Sequence, residues 1–307
     1  MLTDDSHELI QSFQRNLHIK NSKEYKFFYQ FLMDCNLLKY TITEMNNKIG
    51  VKFESPFISP DIFESCQALP LNRNYKIKIK ECLITVHLFY DHHFDIRKFM
   101  NNLCIYLQFI FSLTYDSIKI KNYEVNYYLT NHKKLLSTNY TIPHIITENE
   151  INSGSCQHSF NKKIINIWRI EDILKTTLHE FIHALELDNC KDDHDIVSHY
   201  QQKYNISSNV VNTNESYTEL MADLLNCFLI SKVQENIKQS QKYKLFLKLL
   251  HLEKEFCHYQ AHKVLYLSNT KKSQPLDINK NTNVLSYFII RDELFQNLSL
   301  FLKHCRL

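Results

Sequence analysis

The pattern of apolar and polar positions changes character along the chain. Between residues 7 and 48, apolar side chains such as Phe27, Phe28, Phe31, Leu32 and Leu37 recur at helical spacing and predict helix. Tyr75, Ile77 and Ile79 then alternate with Lys76, Lys78 and Lys80, and β-forming residues continue through 83–90, so 75–90 reads as strand. A helix over 94–113 and a strand over 117–129, the latter carrying Ile118, Ile120, Tyr123, Val125 and Tyr127, complete a mixed α/β region. From about residue 144 the texture turns helical. A short β-like run at 164–168 precedes a helix over 171–187, a polar connection over 188–211, and helices over about 213–237, 240–262 and 285–305. The expected fold class is α+β, with an N-terminal mixed α/β region over 1–143 and a mostly helical region over 144–307 that carries the chemistry.

In the helix over 171–187, Ile170, Ile173, Leu174, Leu178, Phe181, Ile182 and Leu185 follow the i, i+3, i+4 rhythm of a buried amphipathic helix, and Glu171 and Asp172 fall in its expected first turn. Its flank carries His179-Glu180-Phe181-Ile182-His183, an H-E-x-x-H sequence. Residues four apart stack on one helix face, so two imidazoles at this spacing reach one metal ion, and the intervening glutamate lies beside them as a candidate general base. Zinc in a catalytic site takes three protein ligands and keeps one position open. The metzincin pattern would put a glycine and a third histidine where Glu186 and Asn189 stand, so that class is excluded. His194 and His199 lie among Lys191, Asp192, Asp193 and Asp195, a segment that reads as a solvated loop.

The better source of a third ligand is the next helix, where Glu215, Glu219 and Asp223 form an acidic stripe beside the apolar face of Tyr217, Leu220, Met221, Leu224 and Phe228. Stacked carboxylates repel, and a cation removes that cost. Asn212-x-x-Glu215 reads as a capping box, which gives Glu215 a structural task at the helix start. Glu219 sits a turn deeper, with Ala222 leaving room for close helix approach and Asp223 placed to orient a ligand histidine. The ordering of expectations is therefore Glu219 as ligand with Glu215 as the alternative; if Glu215 binds the metal, Glu219 moves to the outer position.

Composition narrows the field. Only Gly50 and Gly154 are glycine among 307 residues, which excludes glycine-rich phosphate cradles and with them Rossmann and P-loop nucleotide sites. A formal charge of +3 does not mark a nucleic-acid binder, and the lysine clusters at Lys76, Lys78 and Lys80, at Lys133 and Lys134, and at Lys271 and Lys272 read as solvated surface. Nine cysteines without a C-x-x-C pair, a polar start at residues 1–6, and no apolar run of the roughly 18 residues that span a bilayer fit free thiols in a soluble, cytoplasmic protein.

H-E-F-I-H followed by Glu219-Leu220-Met221-Ala222-Asp223 resembles the gluzincin metallopeptidases, whose third ligand is a glutamate on a later helix, often with an aspartate four residues on. The spacing is similar to that of clostridial neurotoxin light chains. Asn152-Ser153-Gly154, Ile167-Trp168-Arg169, the H-E-F-I-H helix and Glu215-Ser216-Tyr217-Thr218-Glu219 together resemble metallopeptidases encoded by large DNA viruses, over about 152–229. The resemblance implies a zincin-like catalytic region, a Zn2+ cofactor, a peptide or protein substrate, and a location in host cytoplasm or virion. It also implies a short edge strand, including Ile165 and Ile167, above the metal helix, and an oxyanion stabiliser for which Tyr217, His199 and Tyr200 are the candidates. Two rivals remain: a binding protein whose zinc site is closed by a fourth ligand such as Cys190 or His194, and a nucleic-acid-associated factor using the lysine clusters.

Overall fold

The computed structural model describes residues 4–15, 21–46, 50, 55, 57–136, 140–206, 208–268 and 282–304. The helices are α1 (Asp4–Arg15), α2 (Lys23–Met33), α3 (Pro60–Gln67), α4 (Ile96–Thr114), α5 (Glu148–Ile151), α6 (Ile173–Ala184), α7 (His194–Tyr204), α8 (Thr213–Val233), α9 (Gln239–Leu267), α10 (Arg291–Gln296) and α11 (Leu298–His304). A π-helix, Leu285–Ile290, runs directly into α10. The strands are β1 (Tyr40–Met45), β2 (Leu71–Ile79), β3 (Cys82–Tyr90), β4 (Asn122–Tyr128), β5 (Gly154–His158) and β6 (Lys163–Ile167). This is a mixed α and β architecture.

All six strands form one sheet in the order β1-β2-β3-β4-β6-β5. β1, β2 and β3 are antiparallel neighbours, β3, β4 and β6 run parallel, and β5 closes the far edge antiparallel to β6. The sheet therefore crosses the division expected near residue 143. Alternation decides which face each side chain takes. Ile84, Val86 and Leu88 of β3, Val125 and Tyr127 of β4, and Ile165 and Ile167 of β6 are fully buried under the helices of the main core, where they meet Phe111, Phe181, Leu224 and Phe228. Phe89, Tyr128 and Trp168 point the other way and pack with Ile62 and Cys66 of α3.

Several expected boundaries shift. The helix read over 7–48 is two helices followed by β1, whose side chains are almost all exposed. The strand read over 75–90 is a hairpin turned at Lys80-Glu81, with Lys80 at φ 51°. Glu171 and Asp172 precede α6 rather than opening it, and the polar stretch over 188–211 contains α7. The eight described cysteines are free, and among the described residues no helix is long and apolar enough to cross a membrane.

Candidate metal centre

Packing of α6 on the sheet aims its histidines. Phe181 is fully buried, its ring 5.5 Å from Phe111 and 5.9 Å from Tyr123, and the Thr177 hydroxyl bonds Tyr127 Oη at 2.9 Å. With that face fixed, His179 and His183 turn toward α8. The start of α8 is held from outside the helix. Asp192 accepts from the backbone N–H of Asn212 at 2.6 Å and of Thr213 at 3.0 Å, and from the Thr213 hydroxyl. Asn212 adopts a left-handed φ of 59° and makes no side-chain cap. The capping box expected from Asn212 and Glu215 is thus replaced by Asp192, and the Glu215 side chain is free to face the histidines.

The two Nε2 atoms lie 3.0 Å apart, and Glu215 Oε2 is 3.6 Å from that of His179 and 3.3 Å from that of His183. These ligand atoms all lie within 4.8 Å of one another. Glu215 Oε2 is buried and completes no hydrogen bond, so its only charge partners are the two imidazoles, an arrangement that a cation shared by the three groups would satisfy. The opposite ring nitrogens are already engaged: His179 Nδ1 donates to Glu219 Oε2 at 2.8 Å, and His183 Nδ1 to Asp188 Oδ2 at 2.7 Å. A carboxylate on Nδ1 leaves the Nε2 lone pair for a metal. Two imidazoles and one carboxylate fit zinc, whose bonds to such nitrogens are about 2.0–2.1 Å.

Glu219, expected first as the ligand, therefore sits on the outer side of His179. Its other oxygen is 2.5 Å from Lys175 Nζ and 3.4 Å from Arg291 Nη1. Asp223 orients no histidine. It lies 3.1 Å from Arg291 Nη1 and 3.6 Å from Lys175 Nζ, and so anchors the cations that hold Glu219. The carboxylate on His183 comes instead from Asp188. Glu186 takes a left-handed φ of 58° just after α6, and the N–H of Leu187 reaches back to Ile182 O at 3.0 Å, folding Asp188 onto the helix end. Glycine is the usual residue at such a reversal, and none stands there.

No family model, curated protein or solved structure matches the chain. The site's chemistry is read from its own residues.

Glu180 is 5% exposed and lies under β5. A Cβ built on Gly154 would stand 2.5 Å from Glu180 Oε1, so any larger residue there would force the Glu180 side chain to shift. The strand is latched there. Trp168 Nε1 and Arg169 Nε donate to Asn152 O at 3.2 and 2.9 Å, and the N–H of Trp168 donates to Ser153 O at 3.0 Å. The edge of the sheet beside the site is β5, whereas Ile165 and Ile167, expected at an edge, lie on β6 between β4 and β5 with both side chains in the core. If the site is catalytic, a Gly154→Ala change is expected to displace Glu180 and lower turnover about 100-fold, the scale of a displacement near 1 Å. Metal content should stay at wild-type level, which elemental analysis would check.

A cavity of about 320 Å³ opens beside His179, Glu180 and Gly154, and Tyr287 of the π-helix lines it. The Tyr287 ring centroid is 6.0 Å from that of His179, and Asn283 Nδ2 donates to its hydroxyl at 3.4 Å. The expected oxyanion candidates lie elsewhere. Tyr217 packs near Phe301 with ring centroids 6.2 Å apart, Tyr200 donates to Glu293 at 3.3 Å, and the His199 ring leans on Tyr200. His194 and Cys190 are exposed and outside the cluster, so no fourth protein ligand joins it among the described residues. Lys76, Lys78, Lys80 and Lys133 are exposed, Lys134 lines the cavity, and Lys271 and Lys272 lie outside the described residues.

Burial lifts the Glu180 carboxyl to about 6, against the pull of His179 and His183, which brings it near the operating pH of a general base. Burial also opposes charging the imidazoles, but carboxylates outweigh it. Glu215 and Glu219 raise His179 to about 9, and Asp188 and Glu215 raise His183 to about 11. Both values exceed the ordinary 6.5, so in the metal-free protein this stabilisation is complete below about pH 6.5 and disappears as pH rises through about 9 to 11. A metal ion bound at the two Nε2 atoms would have to displace these protons. Binding at pH 7 should release about two protons, and affinity should rise with pH. Calorimetry in buffers of different ionisation enthalpy measures the number; zero release would mean that the imidazoles are neutral before binding.

Proposed function

We propose that the chain is a zinc-dependent peptidase, with His179, His183 and Glu215 as ligands and Glu180 as general base. The observation that carries the reading is the buried Glu215 oxygen set 3.3 and 3.6 Å from two Nε2 atoms, with a second buried carboxyl, Glu180, one residue from the first histidine. Zinc at this position would polarise a carbonyl and lower the pKa of water.

The remaining work falls to the chain's own groups. Glu180 takes a proton from the attacking water at its carboxylate and passes it to the leaving amine. Glu219 and Asp188 hold the two imidazoles as Nδ1 donors, which fixes both tautomers. Tyr287, whose hydroxyl accepts from Asn283, keeps its own O–H to donate to the carbonyl oxygen as charge develops there. β5 pairs with β6 on one side only, so its other edge offers backbone donors and acceptors to an extended chain. Recognition of that kind needs only a peptide backbone, which is why a peptide is the favoured substrate class.

Tyr287→Phe is expected to lower kcat about 100-fold, the effect of losing one oxyanion donor, with little change in bound zinc. Equal kcat would remove Tyr287 from the reaction. The reading as a whole is tested by digesting a mixed peptide library with zinc-loaded, chelator-stripped and zinc-restored protein. Cleavage should follow the metal through all three states, and cleavage that persists without metal would overturn it.

A further inference from the structure

One buried cation stands outside the proposed reaction. Lys163, the first residue of β6, is 2% exposed. Side chains alternate along a strand, so Lys163 shares its face with the buried Ile165 and Ile167. Its Nζ donates to Glu186 Oε1 at 2.8 Å and to Nδ1 of His158, the last residue of β5, at 2.6 Å. A buried ammonium is costly unless it is paired, and these two acceptors pair it. Lys119 approaches the other Glu186 oxygen at 3.6 Å, but its side chain is largely in solvent, where such a contact is weak.

Glu186 is where the chain reverses after α6. Its left-handed φ of 58° is unfavourable for any residue with a Cβ, and glycine or asparagine is the usual choice there. The reversal builds part of the metal centre. It lets the N–H of Leu187 reach Ile182 O at 3.0 Å, and it brings Asp188 Oδ2 to His183 Nδ1 at 2.7 Å. Asn214 Nδ2 touches the same Asp188 oxygen only at 3.5 Å. The contacts therefore run from Lys163 to Glu186, through the turn to Asp188, and on to His183. They start on β6, which lies inside the sheet between β4 and β5.

Resting on the reading of His183 as a metal ligand, we infer that Lys163 is a positioning residue for it: the ion pair holds Glu186 in the left-handed turn that carries Asp188 to the imidazole. Lys163 itself touches neither metal nor substrate. If it only filled the core, a change at position 186 could not compensate for its loss. If it acts through the turn, it becomes dispensable once position 186 adopts that turn unaided, as glycine does.

The test is therefore a rescue, made in the full-length protein. Lys163→Met keeps the apolar stem and removes the ammonium. Zinc affinity, read by competition with a chelator, should fall about tenfold, the low end of the cost of losing a partner behind a ligand. Adding Glu186→Gly should restore it to within about twofold of wild type, whereas adding Glu186→Ala, which neither pairs nor favours the turn, should not. Thermal melts run alongside report any general loss of stability, which a glycine would not repair. The same comparison is made without metal by NMR on protein with isotope-labelled histidines. There the His183 Nδ1–H held by Asp188 gives a downfield resonance, assigned by its loss in His183→Gln. Lys163→Met should lose this signal, and Glu186→Gly should bring it back. Unchanged affinity and signal in Lys163→Met, or equal rescue by Glu186→Gly and Glu186→Ala, would overturn the positioning role. Should Lys163→Met fail to fold, the two changes at Glu186 decide in the wild-type background: the signal should persist with glycine and fade with alanine, and equal behaviour would reject the role. A protein that binds no zinc yet shows these imidazole changes would sustain the role of Lys163 while removing the peptidase reading.

Discussion

Glu215→Ala is expected to reduce zinc affinity by more than about 100-fold, while Glu219→Ala weakens it by about 10- to 100-fold, the usual cost of losing a partner behind a ligand. The difference follows from which atoms face which. Glu215 Oε2 lies 3.3 Å from His183 Nε2 and 3.6 Å from His179 Nε2, on the side where a metal shared by the two rings must sit. Glu219 Oε2 lies on the Nδ1 side of His179, 2.8 Å away, and its other oxygen is held by Lys175 and Arg291. Removing Glu219 frees the ring to rotate and leaves two buried cations with one fewer carboxylate. Its thermal stability should therefore fall more than that of Glu215→Ala in the metal-free state, because breaking a buried pair costs about 3–5 kcal/mol. Competitive zinc titration and thermal melts on both variants measure the two effects. Loss of zinc from Glu219→Ala with near-normal binding by Glu215→Ala would exchange the two roles.

Glu180→Gln should keep zinc and fold but lose turnover by about 10²- to 10⁴-fold, the usual contribution of a positioned proton carrier. The amide has the shape of the carboxyl it replaces and fits the same narrow space beneath Gly154, so packing gives no reason for the variant to unfold. It cannot take a proton from water, and therefore kcat should fall while peptide affinity is retained. A variant that loses its zinc would show Glu180 to be a ligand or a structural residue.

The sequence made the chemistry legible where residue spacing is local. The H-E-x-x-H pair needs only the helical period of α6, and the acidic stripe of α8 is visible for the same reason. The choice between Glu215 and Glu219 is not local. Asp192 takes over the start of α8, which removes the capping task that favoured Glu219 and leaves Glu215 facing the two histidines. Asp188 is not legible in the sequence because its approach to His183 depends on a left-handed Glu186, a conformation usually signalled by glycine. The edge strand beside the site lies one strand further out than expected. Ile165 and Ile167 carry the apolar pattern of a strand, but that pattern marks β6 as buried rather than terminal. The true edge, Gly154-Ser155-Cys156-Gln157-His158, has no apolar alternation and is a strand only because its backbone pairs with β6. Tyr287 reaches the site through a π-helix far along the chain, which no local pattern marks.

Zinc K-edge X-ray absorption on the full-length, zinc-loaded protein tests the central claim most directly, because it reads the donor atoms themselves. The account predicts scattering from two imidazoles and from oxygen at about 2.0–2.2 Å, with no sulfur, and loss of this spectrum in Glu215→Ala. A shell at about 2.3 Å, the signature of a thiolate, or four histidine and carboxylate ligands from the protein would contradict it and make the site a closed structural one.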